Sequence, residues 1–151
     1  MLMGSHFPNT ANDAIKNCTK LYKDSLGGVA SDAEMTAIRT MLLEYRNSFK
    51  SNDFVVTVDG KRTDTCLKTP KTKTCMSVKG FTFTDPTMTT LDGYTWKTNS
   101  GAQSTPDSNC IVLVVNGTNE IVADIDSCDT KTSLQPISYL CGTPAWTWEE
   151  P

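Results

Sequence analysis

The clearest pattern in the chain is a helical one that follows residue 30. Between residues 31 and 50 apolar side chains recur every three or four positions, which predicts an α-helix with one apolar face. Ser31 and Glu34 have the spacing of a capping box, in which each side chain bonds a backbone N–H at the start of the helix. The predicted apolar face comprises Met35, Ile38, Leu42, Tyr45 and Phe49.

An earlier helix is predicted before this one. Asn12 can cap a helix that runs to about Leu26, and Gly27-Gly28 ends it. The two segments are interpreted either as a pair of helices or as one helix with a kink. The predicted apolar face of the earlier helix comprises Ile15, Cys18 and Tyr22.

After residue 52 the pattern changes to β-branched residues that alternate with polar ones, which predicts strands. Asp59-Gly60 and Asn116-Gly117 are typical hairpin-turn dipeptides. The fold class is therefore α+β, with an N-terminal helix or kinked helix pair packed on an antiparallel sheet. The predicted strands span residues 54–58, 76–84, 94–98 and the two arms of a hairpin at 111–125.

Six cysteines indicate a disulfide-stabilised protein of an oxidising compartment. Their spacing fits no zinc site, and His6 is the only histidine. Cys66 and Cys75 are the best local pair, because Pro70 lies between them and can turn the chain. The predicted disulfide cysteines are Cys18, Cys66, Cys75, Cys110, Cys128 and Cys141.

The pairing of Cys110 stays open. If Asn116-Gly117 is a two-residue turn, Cys110 faces Ala123, and Cys128 lies too far along the strand for a direct bond unless the chain folds back. A bond between Cys128 and Cys141 is an equally good prediction.

The net charge of −3 is unevenly distributed. The segment 61–79 contains a single acidic residue, Asp64, and forms a basic stripe. It is either a contact surface for an acidic partner or a solvated loop. Nucleic acid is a poor candidate, because the segment has no aromatic side chain for base stacking. The stripe comprises Lys61, Arg62, Lys68, Lys71, Lys73 and Lys79.

Two tryptophans near the C-terminus, Trp146 and Trp148, form a second candidate contact surface. On a strand, residues two positions apart point the same way, so the pair either covers an open edge of the core or meets a ligand.

Neither catalysis nor a cofactor is predicted. A serine or cysteine nucleophile needs a nearby base, and His6 lies in residues 1–10, which resemble a disordered cloning remnant. Asp124, Asp126 and Asp129 form a weak candidate calcium cluster, but no EF-hand loop accompanies it. Residues 11–151 fit one domain.

The order of elements resembles the globular domain of a type IV pilin or type II secretion pseudopilin without its N-terminal hydrophobic helix. The similarity is carried by Asp92-Gly93-Tyr94-Thr95-Trp96 and by the strand of residues 110–115 that ends in Asn116-Gly117. The resemblance implies a structural subunit of a bacterial surface filament or secretion pseudopilus, with a role in assembly, adhesion or secretion. Its partners would be other pilin subunits or the assembly machinery, and only the missing helix would contact a membrane.

The alternative interpretation is a freely secreted, disulfide-stabilised binding module, such as an adhesin, an inhibitor or a host-directed factor. It would bind a surface ligand through the basic stripe or through Trp146 and Trp148.

Overall fold

The protein has a mixed α+β fold in which a small helical part packs on a largely antiparallel sheet. The computed structural model describes residues 2–4, 10–22, 25–49, 53–129 and 137–142.

The described helices are few, and the longest precedes the sheet strands of the core. A π-helix follows the first of them, at Cys18–Tyr22, and a 3-10 turn lies at Val78–Gly80. The α-helices are α1 (Ala11–Asn17), α2 (Asp32–Phe49) and α3 (Asp64–Lys68). The strands are β1 (Leu2–Gly4), β2 (Ser25–Leu26), β3 (Phe54–Arg62), β4 (Phe81–Thr82), β5 (Cys110–Val115), β6 (Ile121–Asp126) and β7 (Ile137–Gly142).

The sheet has the order β1-β7-β3-β5-β6, with β2 added to β7 and β4 added to β3. Every pair is antiparallel except β3 with β7, which run parallel. Strand β1 lies in the segment predicted to be a disordered remnant, and it pairs with β7. Segments from near both ends of the chain therefore lie side by side.

Helix α2 is confirmed, together with its cap. The Ser31 hydroxyl accepts from the Glu34 N–H at 3.2 Å, and the Glu34 carboxylate accepts from the Ala30 N–H at 2.8 Å. Of the predicted apolar face, Met35, Ile38 and Leu42 are buried, and Tyr45 meets the ring of Phe54 edge-on.

The main core lies between α2 and strands β3, β5 and β6. Alternate residues of β5, such as Ile111 and Leu113, are fully buried in it, while Val112 packs with Val55 in a separate cluster. Strand β5 is therefore covered on both faces, as its continuous apolar run predicts. Burial of each such side chain contributes about 1.5–3 kcal/mol.

The first helix is shorter than predicted, and its cap is different. Thr10, and not Asn12, caps α1, with its hydroxyl accepting from the Asp13 N–H at 3.2 Å. Leu26 lies in β2 opposite Cys141, which is itself bonded to Cys18. The Cys18–Cys141 disulfide and the pairing of β2 with β7 hold this segment against β7. Both contacts involve residues far away in the sequence, so the periodicity of one segment could not predict them.

Asp59-Gly60 does not form the predicted turn, because β3 runs through it to Arg62. Gly60 has a φ of +138°, and the pairing of β3 with β5 changes register between Thr57 and Lys61. A side chain at Gly60 would collide with Ile111. The glycine permits a bulge within a strand, not a hairpin turn.

The hairpin of β5 and β6 has a longer loop than predicted. Val115 pairs with Ile121, so residues 116–120 form the loop, and Asn119 takes a φ of +64°. The Asn116 carboxamide oxygen accepts from the Thr118 N–H at 3.0 Å, which stabilises this wider loop.

The other strand predictions were too long. The segment 76–84 contains only β4 as strand, and the segment 94–98 contributes a single bridge, between Trp96 and Ala123.

All six cysteines are paired. The local pair Cys66–Cys75 is confirmed. Cys110 bonds Cys128, because the longer hairpin loop pairs Cys110 with Asp126 and brings Cys128 within two residues of the partner position. The alternative prediction for Cys141 was wrong, since it bonds Cys18. Three disulfides are typical of extracellular proteins.

Within the ranges given above, no helix has the length and apolar character needed to cross a membrane.

Candidate ligand-binding surface

The segment between β3 and β5, residues 63–109, is the largest part of the described chain with little regular structure. We refer to it as the loop region. It contains α3, the 3-10 turn and β4, and the Cys66–Cys75 disulfide closes its first loop. Loops held on a rigid sheet are where binding residues concentrate in many folds.

Arg62, at the end of β3, holds the loop region from below. Only 3% of its surface is exposed. Its Nη1 donates to the carbonyl oxygens of Cys75 at 2.8 Å and Pro70 at 3.2 Å. Its Nε donates to the Ser108 carbonyl at 2.8 Å, and its Nη2 donates to the Ser104 hydroxyl at 3.3 Å. One guanidinium thus joins two separate loops.

The guanidinium also lies over the ring of Phe81, 5.2 Å from its centroid. No carboxylate of the described residues pairs with it, and burial lowers the pKa of Arg62. Arg62 was predicted as a member of an exposed contact surface, and that prediction was wrong for this residue. Its side chain packs on Phe81 and satisfies loop carbonyls, which a count of basic residues cannot reveal.

A cleft of about 620 Å³ opens above Arg62 between the two loops. Pro70 on one side and Ser104 on the other bond the same guanidinium, so Arg62 bridges the two walls. The lining residues are Thr69, Pro70, Lys71 and Thr72 on one wall and Ser104, Thr105 and Pro106 on the other.

The cleft presents hydroxyl groups with donor capacity. The Thr72 hydroxyl oxygen accepts from the Cys75 N–H at 3.3 Å, and the Thr105 hydroxyl oxygen accepts from the Asp107 N–H at 3.3 Å. Since a hydroxyl both accepts and donates, the Thr72 hydroxyl retains a proton that it can donate to a ligand. The Thr105 hydroxyl also lies 3.4 Å from the Ser108 hydroxyl, with which it can share a hydrogen bond. Most of the exposed lining is apolar, so the cleft offers apolar contact together with a few hydroxyl groups.

The remaining members of the basic stripe are exposed, and Lys71 lines the cleft itself. In the described part of the chain the one ion pair joins Lys97 to Asp124, so none of the stripe lysines is neutralised there. The exposed lysines are Lys61, Lys68, Lys71, Lys73 and Lys79.

The acidic cluster is not assembled as a metal site. Asp124 pairs with Lys97 at 3.3 Å, and Asp129 accepts from the Asn12 carboxamide. Asp126 accepts from the Ser127 N–H at 2.7 Å, and burial raises its pKa. Among the described residues, no group of three or more histidines, cysteines or acids is placed to hold a metal ion.

A second set of anchors was missed by sequence reasoning. Tyr94, buried, donates to the Asp59 carbonyl at 2.9 Å and accepts from the Val29 N–H at 3.3 Å. The Asp59 carboxylate accepts from the N–H groups of Thr84 and Asp85 at 2.6 and 2.7 Å. These bonds tie the far side of the loop region to β3, and no sequence motif marks them.

The predicted contact pair Trp146 and Trp148 lies outside the described residues, as does His6. Their roles stay predictions.

Two solved structures of human lithostathine have a similar fold. One crystal structure aligns with a TM-score of 0.58 at 17% identity, covering 88% of this chain and 75% of that chain. A second aligns with a TM-score of 0.59 at 16% identity, covering 88% and 82%. At such identity the likeness shows the fold alone. Among curated proteins, none matches this chain.

These findings overturn the pilin interpretation, and with it the bacterial filament, the pilin partners, the assembly machinery and the membrane contact through a missing helix. Residues 92–96, which carried part of that resemblance, form a bridge and not a strand. A helix followed by a sheet is common to many α+β folds, so element order could not identify one of them. The model of C-type lectin domain-containing protein 141/158 matches residues 2–144, and the chain therefore belongs to that family.

Proposed function

We propose that the protein is a secreted, disulfide-stabilised binding module of the lectin type, and that its ligand is a glycan held in the cleft above Arg62. The observation that carries this proposal is the cleft itself, an open space of about 620 Å³ between two loops that one buried guanidinium joins. The description of the family as a lectin domain supports the choice of a glycan.

The shape and chemistry of the cleft agree with such a ligand. Its walls combine proline faces, which suit the apolar face of a sugar ring, with threonine hydroxyls that donate hydrogen bonds. The Cys66–Cys75 disulfide and the Arg62 bonds fix the loops before binding, so little ordering entropy is lost when the ligand binds.

The term C-type raises the expectation of a calcium ion. Calcium prefers six to eight oxygen ligands, several of them carboxylates. Within the described ranges the acids do not fit this requirement, because Asp124 is paired with Lys97 and no acidic group of three is assembled. The binding that we propose therefore uses the chain's own hydroxyls and cations, and it includes no catalytic step.

A glycan array with a cleft-filling variant tests the proposal. Thr69→Trp places a large ring in the cleft mouth at an exposed residue whose hydroxyl donates to the carbonyl four residues earlier. Thr40→Trp is the matched control, because Thr40 is also exposed and makes the same type of bond from α2.

We expect the wild type to bind a subset of glycans, Thr69→Trp to weaken that binding at least about tenfold, and Thr40→Trp to leave it unchanged. Glycan binding that is unchanged in Thr69→Trp would show that the ligand binds outside the cleft. A blank array for the folded wild type would overturn the lectin function.

A further inference from the structure

We propose that the ligand is an anionic glycan, a polysaccharide with sulfate or carboxylate groups, recognised by the exposed lysines of the disulfide-closed loop, with the buried charge of Arg62 adding to the positive potential of the cleft. This inference rests on the proposed function and adds the chemical class of the ligand. It depends on where the positive charges lie relative to the cleft.

The first step is the charge beneath the cleft. Arg62 is 97% buried as judged by its 3% exposure, and all four of its described bonds go to neutral oxygens. A buried cation without a carboxylate partner projects an uncompensated positive potential through a medium of lower dielectric than water. The cleft walls are the two loops that this cation joins, so its charge adds to the positive potential of the cleft.

The second step is the charge on the wall. The loop that Cys66 and Cys75 close contains three lysines, Lys68, Lys71 and Lys73, and no acid. All three are exposed, and the disulfide prevents the loop from extending to separate them. Confining like charges in a short closed loop raises the local potential, and an anionic polymer relieves that repulsion when it binds.

Neighbouring acids do not cancel this charge. Asp64 at the start of α3 and Asp107 beside the opposite wall are the acidic residues of the two loops, and both are exposed. Lys61 and Lys79 flank the same region. Asp124 also lies against the second loop, where it accepts from the Gly101 N–H, but it is paired with Lys97. The closed loop itself has three exposed lysines and no acid, in a chain whose net charge is −3.

The neutral groups of the cleft favour a glycan over a nucleic acid. Neither the cleft lining nor the closed loop contains an aromatic side chain on which a base could stack. The hydroxyls of Thr72 and Thr105 are instead matched to the hydroxyls and ring oxygens of sugars.

The experiment measures binding to three probes by surface plasmon resonance at several salt concentrations. The probes are heparin, chemically desulfated heparin, which keeps its carboxylates, and a neutral dextran. We expect no dextran binding, and we expect the affinity for heparin to fall at least about tenfold between about 0.05 and 0.5 M salt, because the charges are exposed and screened. The desulfated probe separates the two anion sources, since retained affinity assigns recognition to carboxylate and lost affinity assigns it to sulfate.

A charge variant locates the effect. Lys68→Gln/Lys71→Gln/Lys73→Gln should weaken heparin binding at least about tenfold and flatten its salt dependence. The matched control, Lys16→Gln/Lys20→Gln/Arg39→Gln, removes the same net charge from exposed positions of the helical part and should change the affinity less than about twofold.

The outcomes separate this inference from the function beneath it. Salt-independent binding of a neutral glycan that Thr69→Trp abolishes would overturn the anionic class and leave the lectin function in place. An equal loss of heparin affinity in the two triple variants would show that binding depends only on net charge, and it would contradict a site at the closed loop. If single-stranded DNA of matched charge competes as well as heparin, a glycan class is excluded.

Discussion

The helix-and-sheet region and the loop region of this protein are held together by different physics. Helix α2 and strands β3, β5 and β6 share a continuous apolar core in which each buried side chain adds a similar increment. The loop region, residues 63–109, also contributes apolar side chains such as Phe81 to that core. Its loops are fixed in addition by a few polar anchors: the guanidinium of Arg62, the carboxylate of Asp59 and the hydroxyl of Tyr94. Single polar groups therefore matter more for the second region than for the first.

This difference has a functional consequence. A surface fixed by few anchors can change its loop residues without disturbing the core, because the anchors bond mainly backbone carbonyl and N–H groups, which every loop sequence supplies. The cleft lies in the loop region. Substitutions in the helix-and-sheet region should therefore affect mainly stability, and substitutions in the loop region should affect ligand binding.

The largest expected effect on stability comes from the disulfide of longest span. Replacing Cys18 and Cys141 with alanine should lower the free energy of unfolding by about 5 kcal/mol, because 123 residues separate them in sequence. Replacing Cys66 and Cys75, which are nine apart, should cost about 3 kcal/mol. Denaturant unfolding of both variants measures the two values.

In a binding assay, the order of the effects of these two disulfide variants should be reversed. Loss of the Cys66–Cys75 bond frees one wall of the cleft and should weaken glycan binding more than loss of the Cys18–Cys141 bond, measured where both remain folded. Equal effects on affinity would remove the distinction between the two regions.

A core truncation should affect only stability. Leu113→Ala removes a fully buried side chain of β5 and should lower the free energy of unfolding by about 2–5 kcal/mol. Ligand affinity below the melting temperature should stay within about twofold of the wild type, since Leu113 does not line the cleft. Isothermal titration at a temperature where both proteins are folded checks this.

Loss of the main loop anchor should affect both properties. Arg62→Met leaves the carbonyls of Cys75 and Ser108 without their donor and should cost about 3 kcal/mol, together with most of the glycan affinity. Arg39→Met is the control, because it makes the same change at an exposed residue of α2 and should cost less than about 0.5 kcal/mol. An Arg62→Met protein with unchanged affinity would show that the guanidinium does not organise the cleft.

The smallest effect concerns pH. Burial raises the pKa of Asp59, although the bonds from Asp85 and Thr84 lower it in part. The folded state therefore binds this proton more tightly than the unfolded chain, so the resulting stability is present below about pH 4 and is lost as the pH rises through the folded-state pKa.

Asp59→Asn keeps an oxygen that can accept from the N–H groups of Thr84 and Asp85 without the buried charge. Its stability relative to the wild type should therefore increase as the pH rises through that window. Urea unfolding at a series of pH values measures the difference, and a relative stability that decreases with pH would contradict the assignment.

The two regions also differ in how much of them could be predicted. Helix α2 and its capping box were predicted because a periodic apolar face and a cap are local properties of the sequence. The Cys66–Cys75 bond was predicted for the same reason, since its partners are close in the chain.

Apart from the Cys66–Cys75 bond, the loop region could not be predicted, because its geometry depends on contacts between distant residues. In the sequence Arg62 looks like any other basic residue. Its role depends on hydrogen bonds to Ser104 and Ser108, which lie over forty residues away in the chain. Asp59-Gly60 has the sequence of a turn, but in the structure Gly60 packs against Ile111 and the Asp59 carboxylate accepts from the Asp85 N–H, so both residues belong to a continuous strand. Asn116-Gly117 likewise matched the shortest hairpin turn, while the Asn116 side chain stabilises a wider loop.

Backbone NMR of the folded protein, titrated with the glycan that binds best on the array, tests the central claim most directly. The account predicts that the largest chemical-shift changes occur at the amides of residues 69, 71, 72, 104 and 105, with α2 unchanged. Changes concentrated on α2 or on the β5–β6 hairpin loop, with the cleft amides unmoved, would contradict it.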